Sequence, residues 1–170
     1  MTMDASERRD FVRTNHTCVV GYTRKNAPPS MSIVYYVMDG DDILFSTMRE
    51  RQKAKAVARE GELSIAVLDG QWPPTYLVVD GDAELETNPE TIVDVAMKIG
   101  GVMAGEPLAE EVRPFVKEGC EKEGRVVVRV TPKSTFYSPP VHLHKADDAL
   151  DKEKMKDFKH GLGARLPWRD

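Results

Sequence analysis

The segment Asp39-Gly40-Asp41-Asp42-Ile43-Leu44-Phe45-Ser46-Thr47-Met48-Arg49-Glu50-Arg51-Gln52-Lys53-Ala54-Lys55 holds the fold and the chemistry side by side. The acidic, glycine-bearing quartet Asp39 to Asp42 is a hairpin signal, and Ile43 to Thr47 reads as the returning strand. That strand ends in two small hydroxyls and hands over at once to a basic helix. Glu50 to Glu60 is helical in pattern, with Ala54, Val57 and Ala58 at three- and four-residue spacing. Gly61 stops it. Arg49, Arg51, Lys53, Lys55 and Arg59 cluster here in a chain whose formal net charge is −4. A local basic knot in an acidic chain points to a specific anion, and a phosphate on a small cofactor is the leading candidate. Backbone N–H groups at a helix start are unpaired and electropositive. Arg51 adds a bidentate fork, Lys53 a point charge, and Ser46 and Thr47 add hydroxyls. The competing reading is a solvated helix face balanced by Glu50 and Glu60.

Outward from this segment the pattern stays β-rich. Ser6 to Arg13 is predicted as a short first helix. His16 to Thr23 and Ser30 to Met38 are strands, separated by an Arg24–Pro29 turn whose two prolines exclude a central strand. Leu63 to Leu68 is the next strand. Thr75 to Val79 and Asp82 to Glu86 form one long strand with a bulge or bend at Gly81. Asn88-Pro89-Glu90 opens a helix running to about Met103, and a further helix spans Leu108 to about Glu121. Arg125 to Thr131 is a strand, Pro132 interrupts it, and Ser134 to Ser138 is a last short strand. Hairpin-linked strands with inserted rather than alternating helices predict a mainly β (α+β) domain over 1–140: an antiparallel six- to seven-stranded split β-barrel with flanking helices. Residues 141–170 read as a polar C-terminal tail.

The 170 residues are 41% hydrophobic and 31% charged, enough for one well-cored domain. Cys18 and Cys120 are the only cysteines, and two distant thiols suit a reducing compartment, so a cytoplasmic location is expected. The N-terminal segment lacks a signal-peptide h-region, and no run is long and apolar enough to span a membrane. The acidic balance disfavours nucleic acid.

Other constellations are weaker. The strand with Met31, Ser32, Val34 and Tyr35 could back a flat ring or be plain core. Trp72 and Tyr76, on and after a proline-stiffened loop, could close a pocket or an interface, or pack as surface. His142 and His144 share a strand face, but no third ligand follows, so no metal site is expected. Cys18 reads as inert packing and Cys120 has no base nearby. No G-x-S-x-G, H-E-x-x-H, Walker or G-x-G-x-x-G pattern is present.

The run Asp39 to Thr47 followed by Arg49-x-Arg51-x-Lys53-Ala54-Lys55 resembles the core signature of the pyridoxamine 5′-phosphate oxidase-like FMN-binding split-barrel superfamily. It is most similar to the flavin/deazaflavin (F420) oxidoreductase type. Supporting pieces are Pro29-x-x-x-Ile33-Val34, Glu62-Leu63-Ser64-Ile65, Val79-x-Gly81-x-Ala83-Glu84-Leu85 and Val126 to Pro132. The chain differs from the pattern at Asn26-Ala27, where Asp-Gly is common, at Ile33 in place of a frequent proline, and at Ala56 in place of an asparagine.

The resemblance implies a homodimer of split barrels with cofactor sites at the interface. Arg51 and Lys53 would hold the cofactor phosphate, with Lys55 nearby. Ser46 and Thr47 would lie along the ribityl chain, and Met31 to Val34 would back the ring. Trp72 and Tyr76 could reach the partner's site, although no motif of the family assigns them. The expected activity is an oxidoreductase using coenzyme F420 on a small-molecule substrate, with Tyr35 as a possible proton donor. The alternatives are an FMN-dependent enzyme of the same fold, or a non-catalytic flavin-, deazaflavin- or haem-binding protein, the last resting on His142 and His144. Vitamin B6 oxidation is not expected, because the basic C-terminal substrate segment of true pyridoxamine-phosphate oxidases is not recognisable.

Overall fold

A computed structural model describes residues 3–71, 74–138 and 165–169. Helix α1 (Ala5–Thr14) starts at a reciprocal cap between Asp4 and Glu7. Strands β1 (Thr17–Arg24), β2 (Ala27–Tyr35), β3 (Val37–Asp39) and β4 (Asp42–Met48) follow, then α2 (Gln52–Glu60), β5 (Glu62–Leu68) and β6 (Tyr76–Glu86). Helix α3 (Pro89–Ala104), a single 3₁₀ turn (Glu110–Val112), α4 (Arg113–Glu123), β7 (Arg125–Ser138) and β8 (Leu166–Pro167) complete the described chain.

The strands form one antiparallel sheet in the order β2-β1-β5-β6-β7-β4-β3, with β8 also paired to β7. Consecutive strands β2 and β3 therefore lie at opposite ends of the path, separated by Tyr36 alone. The sheet must roll until its two edges meet at that residue, yet hydrogen bonds do not close it. Tyr36 fastens the seam: its N–H donates to the His16 carbonyl at 2.9 Å. Its buried phenol donates to the Val12 carbonyl at 2.6 Å. The predicted single strand over Ser30 to Met38 is thus two strands: Tyr36 makes the last hydrogen bond to the β1 side, and from Val37 onward the chain pairs with β4 instead.

Inside the roll, period-two alternation places Cys18, Val20, Phe45, Ile65, Val67, Leu77, Val79 and Val128 in one core, with Val12 from α1 and Val57 from α2. Cys18 is sealed there, and burial pushes its thiol up to about 12, which makes it inert at neutral pH. A second apolar cluster forms on the outer face, where Ile92 and Val95 of α3 cover Val37, Leu44 and Val127. Asn88 caps α3 by accepting from the N–H groups of Glu90 and Thr91.

Prolines account for three departures from the predicted element boundaries. Strand β2 begins at Ala27 and contains both Pro28 and Pro29; it tolerates them because it is an edge strand with irregular pairing to β1 between Tyr22 and Arg24. Helix α4 starts at Arg113 rather than Leu108, since Pro114 has no N–H and suits a first turn. Strand β7 runs unbroken through Pro132. On one side its neighbour changes from β4, paired as far as Val130, to β8, paired from Ser134. Pro132 falls in the gap between them.

Opposite Pro132 lies Gly81, at the register shift expected from its sequence position. A Cβ there would sit 2.6 Å from the Thr131 carbonyl oxygen and 2.8 Å from Val130 Cγ1. Backbone cannot yield that space cheaply, so Gly81→Ala is expected to destabilise the fold by about 1–3 kcal/mol. A urea midpoint lowered at unchanged slope is the check.

The residues predicted as a polar tail include a structural piece. Leu166 and Pro167 pair with Thr135 and Ser134, and Trp168 is buried in the inner core. Arg8 of α1, itself buried, donates to the Pro167 carbonyl at 2.8 Å, and Arg9 donates to the Trp168 carbonyl at 3.1 Å.

Candidate functional site

A cleft of about 410 Å³ opens at the seam of the roll. Its walls come from the last residues of β2 (Ile33, Val34, Tyr35), the end of β4 (Ser46, Thr47, Met48), the start of α2 (Arg51, Lys53), the end of α3 (Ile99, Met103) and Arg125 at the start of β7. One wall is apolar, from Ile33, Val34, Ile99 and Met103. The floor at the strand-to-helix junction carries three cations and two hydroxyls.

Local structure explains this polarity. Arg51 is the cap residue of α2 and makes no side-chain cap. The first helical N–H groups therefore lack the usual Ser, Thr, Asn or Asp acceptor, and the first turn holds no acid. Ser46 Oγ is buried without a hydrogen-bond partner among the described residues. Arg51 and Lys53 have no carboxylate partner among those residues either, although most other described cations are paired. A natural fold seldom leaves a buried hydroxyl such as that of Ser46 unmatched, and an anion seated beside it would meet the cations of Arg51 and Lys53 as well.

Lys53 carries the electrostatic signature of this arrangement. Partial burial, with Arg51 and then Arg125 nearby, holds its ammonium below the usual lysine value. Below that lowered value the charged lysine opposes folding in full; the penalty fades as pH rises from the folded value toward the unfolded one. Stability of the ligand-free protein is therefore expected to rise across that alkaline window. Anion binding takes the opposite sign, since deprotonation of Lys53 removes an attractive charge. Titrations from neutral pH into the lysine range are expected to show affinity falling earlier than an ordinary lysine would dictate, with Lys53→Arg holding affinity to higher pH.

Residues 5–138 match the family model for pyridoxamine 5′-phosphate oxidase. The chain belongs to that family. Among solved structures it is similar to the conserved hypothetical protein Rv2991 of Mycobacterium tuberculosis, with 22% identity over 86% of this chain and 96% of that one at a TM-score of 0.70. A structure described as an F420 reductase shares 22% identity over 75% of this chain and 94% of that chain, with a TM-score of 0.58. An FAD-binding protein of Mesorhizobium loti shares 15% identity over 79% of this chain and 94% of that chain, with a TM-score of 0.59. At these identities the structural likenesses establish the shared fold. No curated protein matches this chain.

Within this pyridoxamine 5′-phosphate oxidase family member, the cleft brings together Ile33, Val34, Tyr35, Ser46, Thr47, Arg51 and Lys53 of the residues singled out from sequence. Others lie elsewhere. Lys55 is exposed and paired with Glu50 at 2.9 Å. Met31 is exposed on the outer face of β2, one register position from Ser32, whose buried hydroxyl is unpartnered among the described residues. Tyr76 stacks in a tilted geometry on Phe136, ring centroids 6.3 Å apart. Trp72, His142 and His144 fall outside the described residues. Cys120 is half-buried, and burial raises its thiol above the usual value. No group of three or more metal-ligating side chains occurs among the described residues, and no described helix is long and apolar enough to cross a membrane.

Met48, Ile99, Met103 and Arg125 were not singled out from sequence. Met48 and Arg125 meet through strand register, as direct partners in the β4–β7 ladder. Ile99 and Met103 are four apart on the last turns of α3, a spacing that marks a shared helix face without saying what it covers.

Proposed function

We propose that this protein is an oxidoreductase that binds coenzyme F420 in the seam cleft and acts on a small-molecule substrate. The observation that carries the reading is the cation pair Arg51 and Lys53 at the start of α2, without a carboxylate partner among the described residues and lining one cleft with the Ser46 hydroxyl, which has no hydrogen-bond partner among them. In this reading Arg51 and Lys53 hold the cofactor's phosphate, and Ser46 and Thr47 accompany the chain leading from it. Ile33 and Val34 back the ring, with Ile99 and Met103 shielding it from water. When bound, the cofactor supplies a ring carbon able to give or accept a hydride. The protein's own part is orientation, charge and dryness, so no nucleophile is required. Tyr35 lines the same cleft, and its phenolic Oη is the proposed proton donor.

A homodimer belongs to the proposal. Met31 and Ile33 are 74% and 73% exposed on edge strand β2 beside the cleft, a costly pair to leave in water. A second copy seated there would bury them and wall off the open side of the cleft.

Titration of the ligand-free protein with F420 and with FMN, followed by cofactor fluorescence, tests the reading. Saturable F420 binding stronger than FMN binding is expected. Tighter FMN binding would move the protein to the flavin branch of the same chemistry, and absence of binding by either would overturn the cofactor site.

A further inference from the structure

The cleft contains a third cation, and it is held by a carboxylate rather than free. The Gly124 carbonyl accepts the Arg49 N–H at 2.9 Å, and Met48 pairs with Arg125 in the ladder. Together these contacts fix the start of β7 against the end of β4, so that Arg125 joins Arg51 and Lys53 in the lining. Glu123, the last residue of α4, accepts from Arg125 Nε at 2.6 Å. Side-chain exposure is 33% for Arg125 and 44% for Glu123. Ion pairs this open to water are weak and easily exchanged, whereas an arginine fork on a phosphate or carboxylate is a stronger, directional contact. Lys53 registers the charge of Arg125 despite the Glu123 pairing, which places the guanidinium within electrostatic reach of the same anion.

We propose that Arg125 is a third anion contact of the cofactor site, exchanged from Glu123 to the ligand on binding, and that Glu123 is a built-in competitor that sets the site's affinity. The inference rests on the seam cleft being the cofactor site, as proposed above. The ligand's anionic part then meets a site of two standing cations plus one that is released on demand. Ligands with more negative charge at that end gain more from the release. FMN, whose monoester phosphate is a dianion, and F420, which carries a phosphodiester and further carboxylates, are the natural probes.

The test is a double-mutant cycle on the full chain, titrated with FMN and with F420. Arg125→Ala is expected to weaken binding about tenfold or more. Glu123→Gln, which keeps the shape and removes the competitor, is expected to tighten binding about two- to fivefold. The double variant is expected to match Arg125→Ala, because Glu123 has no effect once its partner is gone. Arg125→Lys should recover part of the affinity. Thermal melting guards against a merely structural role and is expected to be unchanged in all four variants.

If Arg125→Ala binds both probes as tightly as wild type while Arg51→Ala with Lys53→Ala loses them, the third contact is wrong and the cofactor site stands. If Glu123→Gln leaves affinity unchanged or weakens it, the competitor role is wrong. If wild type binds neither probe, the site and this inference fall together.

Discussion

The double variant Arg51→Ala with Lys53→Ala is expected to lose about 3–6 kcal/mol of cofactor affinity, roughly 1.5–3 for each charge-assisted contact. That corresponds to at least a hundredfold rise in Kd. Its fold is expected to survive, because neither side chain forms an ion pair among the described residues and Lys53 is charged at some cost in the ligand-free protein. The combination is diagnostic. A purely structural pair of cations would lose stability on removal, and a solvated helix face would lose neither stability nor affinity. Near-identical urea midpoints beside a large difference in cofactor titration distinguish binding from both.

The second large effect lies at the far end of the chain. Trp168 is 3% exposed and packs in the inner core with residues from β1, β4, β5, β6 and β7. Truncation of a buried tryptophan typically costs about 3–5 kcal/mol through lost burial and the cavity left behind. Trp168→Ala is expected to cost that much, a large share of the roughly 5–15 kcal/mol that holds a domain together. Trp168→Phe is expected to cost clearly less. It keeps an aromatic ring in place, and it removes an indole N–H that is buried without a partner among the described residues. A loss below about 1 kcal/mol in the alanine variant is what a surface position gives, and it would contradict the docking of β8. Equilibrium urea unfolding reads both.

These two predictions mark what the amino-acid pattern revealed and what it did not. The strand-to-helix junction was legible because its signals are local: Gly40 opens a two-residue hairpin at φ 60°, alternation fills β4, and Gly61 ends α2 at φ 69°. The phosphate-site candidates Ser46, Thr47, Arg51 and Lys53 lie on that single contiguous stretch, so reading it brought them together. Arg125 reaches the cleft from 72 positions after Lys53, through a ladder register that no local pattern encodes.

Trp168 is a lone aromatic after a long charged stretch, and a two-residue strand has no periodicity to detect. Pro132 reads as a chain-breaker in isolation. Only the hand-over from β4 to β8 along β7 shows why it is harmless there. Tyr36, in an unbroken β-branched and aromatic run, gave no hint that the sheet changes edge at that residue.

The central claim is that the cations at the start of α2 grip the phosphate of a cofactor in the seam between β2 and β4. A crystal structure of the protein with bound F420, or with FMN should that bind more tightly, tests it most directly. The account predicts phosphate oxygens within hydrogen-bonding distance, roughly 2.7–3.2 Å, of the Arg51 guanidinium and Lys53 Nζ. A cofactor bound elsewhere, with Arg51 and Lys53 directed into solvent, would contradict it.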